Sequence, residues 1–272
     1  MEVRAKKALG QHFLVDLGAA QRIVAALGDS EDSATVGTEA PSTRDVLEIG
    51  PGMGVLTRYL LQRPELNLKM VELDGESVQF LRSHFAGMDG RLLQADYLRL
   101  DVHKVFPGEY SVIGNFPYNI SSQIFFKILE DRDRVPEVVC MIQKEVAERI
   151  AEGPGSKTYG ILSVLLQAWY DIEYLFTVEP GAFAPPPKVR SAVIRLRRNS
   201  RTELLAPDGR HVDDKLFKQV VKTAFNQRRK TLRNALRPLL PADYDLTDPV
   251  LQQRAEQLGV EDFIALAARI SR

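Results

Sequence analysis

The sequence predicts an α/β protein: a mostly parallel sheet with an antiparallel last strand, followed by a small all-α C-terminal domain. Three observations carry this. Short runs rich in Val, Ile and Leu alternate with helix-period segments from Val46 onward, the pattern of a parallel sheet covered by helices on both faces. The first run ends in a glycine cluster, Gly50-Pro51-Gly52-Met53-Gly54, which opens a helical segment. After Leu196 the strand signals stop and only amphipathic helical patterns continue.

Taken in order, the strands are expected at Val46–Ile49, Leu68–Leu73, Arg91–Asp96, Ser111–Asn115, Val138–Ile142, Asp171–Thr177 and Val189–Leu196. Helices are expected between them at Val55–Gln62, Glu76–Phe85, Ser122–Glu130, Lys144–Ala151 and Tyr159–Trp169. The last strand follows a Pro-rich connection, Glu179 to Pro187, that is too irregular for a crossover helix. A closing antiparallel hairpin at the sheet edge is therefore expected. Gly28–Asp45 lacks periodicity and reads as a mobile loop. Beyond the sheet, Asp213–Phe225, Arg228–Leu240, Pro249–Gln257 and Glu261–Ile270 read as helices. The boundary falls near Asn199–Asp208, dividing the chain into domains 1–200 and 201–272.

Composition excludes several classes. No apolar run approaches the roughly 18 residues that a membrane span needs, and no signal-peptide pattern opens the chain. One cysteine, Cys140, cannot form an intrachain disulfide and sits in an apolar run. His12, His84, His103 and His211 are scattered without metal-ligand spacing. A reduced, cytoplasmic, metal-free protein is expected. The net charge of zero hides an asymmetry: residues 1–180 hold 18 Lys+Arg against 26 Asp+Glu, whereas residues 181–272 hold 18 against 10. A C-terminal part carrying +8 suits a phosphate-bearing partner.

The candidate site is read at the C-terminal ends of the strands, where doubly wound sheets bind ligands. Gly50 and Gly52 allow a sharp turn and a close ligand approach. The spacing Gly-x-Gly-x-Gly places Val55 where a dinucleotide fingerprint would have glycine, which disfavours a nicotinamide dehydrogenase. Glu72 and Asp74 end the second strand, at the usual position of a ribose-binding acid, and Asp96 ends the third, within reach of an adenine amine. Asn115-Phe116-Pro117-Tyr118 follows the fourth strand. An amine conjugated to a purine ring is a poor nucleophile. Two acceptors aimed at its hydrogens, the Asn115 side-chain oxygen and the Phe116 carbonyl, would make its nitrogen more tetrahedral. Pro117 would stiffen the turn, and the Tyr118 ring would stack an extruded base. Phe183 is read either as a second stacking ring or as a loop anchor.

These residues resemble the family of ribosomal RNA adenine dimethyltransferases. The likeness runs through Lys7–Leu14, Glu48–Gly54, Glu72–Asp74, Gln94–Asp96, Asn115–Tyr118, Phe183–Ser191 and Ala224–Leu232, in that order. It implies a Rossmann-like S-adenosylmethionine-dependent methyltransferase sheet with a helical RNA-binding C-terminal domain. It also implies N6,N6-dimethylation of two adjacent adenines near the 3′ end of 16S rRNA, within an immature small ribosomal subunit. By position, His12 and Leu14 would contact the cofactor, Gly50 would line its pocket, Glu72 would hold the ribose, Asp96 the adenine, and Asn115 would adjoin it as catalytic residue. The family pattern usually has Leu where this chain has Phe116, and the Gly28–Asp45 loop is longer and more acidic than usual. A large-subunit rRNA adenine methyltransferase of the macrolide-resistance type and a non-catalytic assembly factor are the alternatives. The motifs at 183–191 and 225–232 favour the small-subunit enzyme, and a monomer is expected. Arg229, Arg233 and Arg237, four residues apart on the expected helix, would form a basic stripe for phosphates, and Arg4, Lys6 and Lys7 would add a second contact.

Overall fold

The computed structural model describes residues 3, 5–6, 9–28 and 43–271. Most of the Gly28–Asp45 loop, together with Arg4 and Lys7, lies outside the described residues. The chain begins with β1 (Phe13–Leu14) and α1 (Leu17–Ala25), which Asp16 caps by accepting from the Ala19 amide. Then come β2 (Arg44–Ile49), α2 (Thr57–Leu60), β3 (Leu66–Glu72), α3 (Gly75–His84), β4 (Leu92–Gln94) and β5 (Ser111–Asn115). They are followed by α4 (Ser121–Glu130), β6 (Glu137–Gln143), α5 (Lys144–Ala151), α6 (Ile161–Gln167), β7 (Tyr170–Val178), β8 (Phe183–Ala184) and β9 (Ser191–Arg198). Among the described residues, α7 (Asp214–Asn226), α8 (Leu232–Ala235) and α9 (Val260–Ile270) are the remaining α-helices.

Seven strands form one sheet in the order β4-β3-β2-β5-β6-β9-β7. The pairs β3–β4, β2–β3, β2–β5 and β5–β6 are parallel, and β9 is antiparallel to β6. The last strand is antiparallel, as its Pro-rich approach predicts, but it slots between β6 and β7, leaving β7 at the edge. Six of the seven residues of β6 are buried, as expected for a strand covered on both faces. Its one buried charge, Glu137, is met by Arg44 at 2.5 Å and by the Gly28 amide at 3.0 Å, which offsets the cost of removing a carboxylate from water. Strand order reverses between β2 and β5, the switch point where such sheets open a ligand crevice. A second, two-stranded sheet pairs Phe13 with Ala184 and Leu14 with Phe183.

Two compact units are present: Met1–Ala147 with Ile172–Arg198, and Glu148–Asp171 with Asn199–Arg272. The second unit thus takes in residues 148–171 as well as the expected C-terminal helices. The reason is visible in α6, where Leu162 to Leu166 are all buried and no face is left for solvent. Within this unit Phe225 lies between Tyr159 and Phe263, with ring centroids 6.2 and 5.8 Å away. Asp213 caps α7 through the Lys215 and Leu216 amides. Burying one such phenylalanine stabilises by roughly 1.5–3 kcal/mol.

The continuous helix expected over Arg228–Leu240 is not formed. Only Leu232–Ala235 is helical, because the chain turns at Gln227–Lys230, the Leu232 amide donates to the Gln253 carbonyl, and Pro238 cannot extend the helix. Arg229 and Arg237 lie in turns on either side of α8, so no single helical stripe joins them to Arg233.

Candidate active site

The turn after β2 carries three glycines with left-handed backbone, Gly50, Gly52 and Gly54, at φ of 65°, 56° and 76°. Two have crowded surroundings: a Cβ on Gly52 would meet the Phe13 ring at 3.0 Å, and one on Gly54 would meet the Phe85 ring at 2.5 Å. Gly50 differs, since a Cβ there would enter open space. That space is a cavity lined by Gly50, Gly52, Glu72, Asp96, Asn115 and Leu14, among others. The sheet therefore brings together every residue expected at the cofactor from the resemblance, His12 included.

Backbone amides orient the acids. Glu72 is buried; its two oxygens accept from the Gly52 amide at 3.0 Å and the Asp74 amide at 2.8 Å. Burial raises its carboxyl above the ordinary value, against the pull of those amides. Deeper still, Glu48 is 1% exposed and accepts from Thr57 Oγ1 at 2.7 Å. Desolvation pushes it up to about 8, with the neighbouring Glu72 adding to the rise. Asp74 is buried as well, which alone would raise it. Hydrogen bonds from Lys6 and Gln11 and from the Glu76 amide bring it below the usual range. Asp96 caps the following turn by accepting from the Leu98 amide at 2.9 Å. Lys127 holds that turn in place, donating to the carbonyls of Tyr97 and Leu100 at 2.5 Å each.

At the end of β5, the Asn115 Nδ2 donates to the His12 carbonyl at 3.0 Å. This fixes the amide so that Oδ1 is its acceptor end. The Phe116 amide donates to the Met141 carbonyl at 3.0 Å and anchors the peptide to β6. Its ring is fully buried, edge-on to Phe125 at 5.8 Å. The Pro117 carbonyl accepts from the Ile120 amide and closes the turn into α4. Tyr118 is half-buried, its phenol raised by desolvation and bonded to Ser191 Oγ at 2.5 Å. The His12 ring stacks on it, centroids 5.5 Å apart and planes at 30°. His12 Nδ1 donates to the Pro185 carbonyl at 2.9 Å.

Some expectations are placed elsewhere. Phe183 is 4% exposed, belongs to the hydrophobic core and does not line the cavity. It is the anchor of β8, and the ring facing Tyr118 is His12. Arg229, Arg233 and Arg237 are exposed on the second unit. Their neighbour Arg228 instead donates to the Lys157 and Tyr159 carbonyls and braces that unit. Sequence spacing did not single out Gln11, Glu48, Lys127 or Ser191. Gln11, Glu48 and Ser191 lay inside segments already marked by the resemblance. Lys127 acts through contacts that only tertiary structure creates.

A parallel sheet opening at its switch point, a glycine turn facing open space, and acids on the next two strands define a Rossmann-like methyltransferase. Residues 2–270 match the family described as ribosomal RNA adenine dimethylase, and the chain belongs to it. Ribosomal RNA small subunit methyltransferase A of Parabacteroides distasonis is 56% identical over 97% of this chain and 93% of its own. The protein of the same name from Bacteroides thetaiotaomicron is 54% identical over 98% of this chain and 94% of its own. Among solved structures, a dimethyladenosine transferase from Plasmodium falciparum has a TM-score of 0.71 at 22% identity, covering 94% of this chain and 96% of its own. The 23S rRNA methyltransferase ErmE has a TM-score of 0.62 at 24% identity, covering 96% and 100%. At those identities the two structures show the fold alone. The cofactor is S-adenosylmethionine, and the open space at Gly50 beside amide-oriented acids fits it. Among the described residues no helix is long and apolar enough to cross a membrane.

Proposed function

We propose that this protein dimethylates N6 of two adjacent adenines near the 3′ end of 16S rRNA, acting as a cytoplasmic monomer on an immature small ribosomal subunit. The names and coverage of the relatives support the small-subunit substrate. One observation carries the chemistry: Asn115 Nδ2 is engaged by the His12 carbonyl, so Oδ1 is its acceptor, in a cavity that Phe116 and Tyr118 also line.

S-adenosylmethionine supplies an electrophilic methyl group; Gly50, Gly52, Glu72, Asp96, His12 and Leu14 would hold it. The chain's own residues prepare the nucleophile. In the first transfer Asn115 Oδ1 and the Phe116 carbonyl accept the two amine hydrogens, and in the second one of them accepts the single hydrogen that remains, drawing the nitrogen toward a tetrahedral shape with its lone pair exposed. Pro117 fixes the turn between them and Tyr118, whose ring stacks the extruded base. No general base is needed beforehand, because the nitrogen becomes acidic only after transfer. Orientation and preorganised acceptors supply the catalysis. Arg229, Arg233 and Arg237 contact phosphates without reading sequence.

Immature small subunits incubated with methyl-labelled cofactor provide the test. Label in two adjacent 16S adenines is expected with the natural chain, and Asn115→Ala should slow transfer at least 100-fold, on the order of removing one preorganised acceptor, with an unchanged melting curve. Label confined to large subunits would favour the macrolide-resistance reading. Tight binding without label would favour a non-catalytic assembly factor. Unchanged turnover of Asn115→Ala would refute its role.

A further inference from the structure

Ser191 has no part in the chemistry just described, yet it is fully buried and its Oγ lies 2.5 Å from the Tyr118 hydroxyl. The sheet fixes its position: Ser191 opens β9 in register with Gln143 of β6. The adjoining Arg190 carbonyl accepts from the Lys144 amide at 2.9 Å. Buried hydroxyls are costly when left unpaired, so each of the two holds the other in place.

Tyr118 is otherwise restrained at its root and on one face. Its backbone belongs to the turn between β5 and α4, and its ring meets His12, itself held by the Pro185 carbonyl. Neither contact fixes the swing of the phenol tip. Among the described residues, the bond to Ser191 ties that tip to a strand, and Ser191 does not line the cavity. The segment 183–191 therefore holds Tyr118 directly through Ser191 and, through Pro185, holds the His12 ring stacked on it.

We propose that Ser191 is a positioning residue for the target base, holding the Tyr118 ring at the attitude in which a stacked adenine presents its amine to Asn115. This rests on the reading of Tyr118 as the base platform. A ring freed at its tip spreads over its torsional range, and small misplacements of a reacting group slow a positioning-dominated reaction strongly.

Single-turnover transfer to small subunits at saturating cofactor, with S-adenosylhomocysteine affinity measured separately by calorimetry, tests it. Ser191→Ala and Tyr118→Phe should each slow transfer by about tenfold, the scale of one buried hydrogen bond. Cofactor affinity should stay unchanged in both. The double variant should be no slower than either single one, since both remove the same bond. Additive losses in the double variant overturn the proposal, as does a parallel loss of cofactor affinity. Because Tyr118→Phe breaks the bond from the exposed side, wild-type transfer by that variant alone overturns it even if Ser191→Ala fails to fold. Tyr118→Ala separates the premise: wild-type transfer there sinks the platform reading itself, whatever Ser191 does.

Discussion

Glu48 is a carboxyl whose buried environment departs far from its ordinary chemistry. A carboxyl that titrates near 4.5 in an unfolded chain is held up to about 8 by burial. Between those values the folded protein binds a proton that the unfolded chain has released, so raising the pH favours unfolding. Stability is thus fullest below the unfolded value and declines as the pH climbs through the folded one. Urea midpoints measured from about pH 5 to about pH 8 should fall, and Glu48→Gln should flatten that slope; an equal slope in both proteins would show that Glu48 stays ionised. Phe116 makes the opposite case, an unusual letter with an ordinary job. Its ring fills a fully buried site against Phe125, while the role proposed for it belongs to its backbone carbonyl. Phe116→Leu should cost about 1 kcal/mol of stability by chemical denaturation and retain transfer, because the swap keeps the peptide and most of the volume. At this scale Asn115, Glu72 and Asp96 were legible because strand ends position side chains from local sequence. Phe183 was not, since whether a ring anchors or stacks depends on the two-residue pairing with β1 that no periodicity announces.

The glycine turn is one element with two kinds of glycine. At Gly54 a side chain would collide with the Phe85 ring, and at Gly50 it would enter the cavity. Both have left-handed backbone, so alanine is strained at either by roughly 1–2 kcal/mol. Gly54→Ala should add a packing loss and lower the melting temperature further than Gly50→Ala does. Gly50→Ala should instead weaken S-adenosylhomocysteine binding the more of the two. Calorimetry and thermal melts on the pair would settle it, and the reverse ordering would mean that the cofactor does not use the space at Gly50. Long apolar runs made the strands readable to within a few residues, β5 and α5 to the residue. Short elements were not readable. α2 covers only Thr57–Leu60 of the expected Val55–Gln62, and α8 is four residues where thirteen were expected. The amide of Leu232 finds its partner at Gln253, a bond between distant segments that outweighs helical propensity.

For the whole molecule, the excess of cations in residues 181–272 suits a phosphate-bearing partner. Removing one cation that pairs with a phosphate should lower the slope of log affinity against log salt by roughly 0.7–0.9. Replacing Arg229, Arg233 and Arg237 with Gln should weaken subunit binding and flatten that slope together; weakening with an unchanged slope would place the phosphates elsewhere. The overall class was legible from the alternation of strands and helices. The membership of residues 148–171 in the second unit was not, because α6 is buried throughout Leu162–Leu166 and the sequence alone does not say which neighbour buries it. The pairing of β1 with β8 also bears on how the protein comes into being. Residues 13–14 wait for residues 183–184, and the sheet stays open beside β6 until β9 inserts. Such distant closures are slow to form and come late. On the ribosome that makes it, the growing chain would carry its glycine turn and acids long before β1 has its partner strand or Tyr118 its bond to Ser191. Chains stalled at residue 182 should retain no labelled cofactor, so the enzyme acquires its competence near the end of its own synthesis.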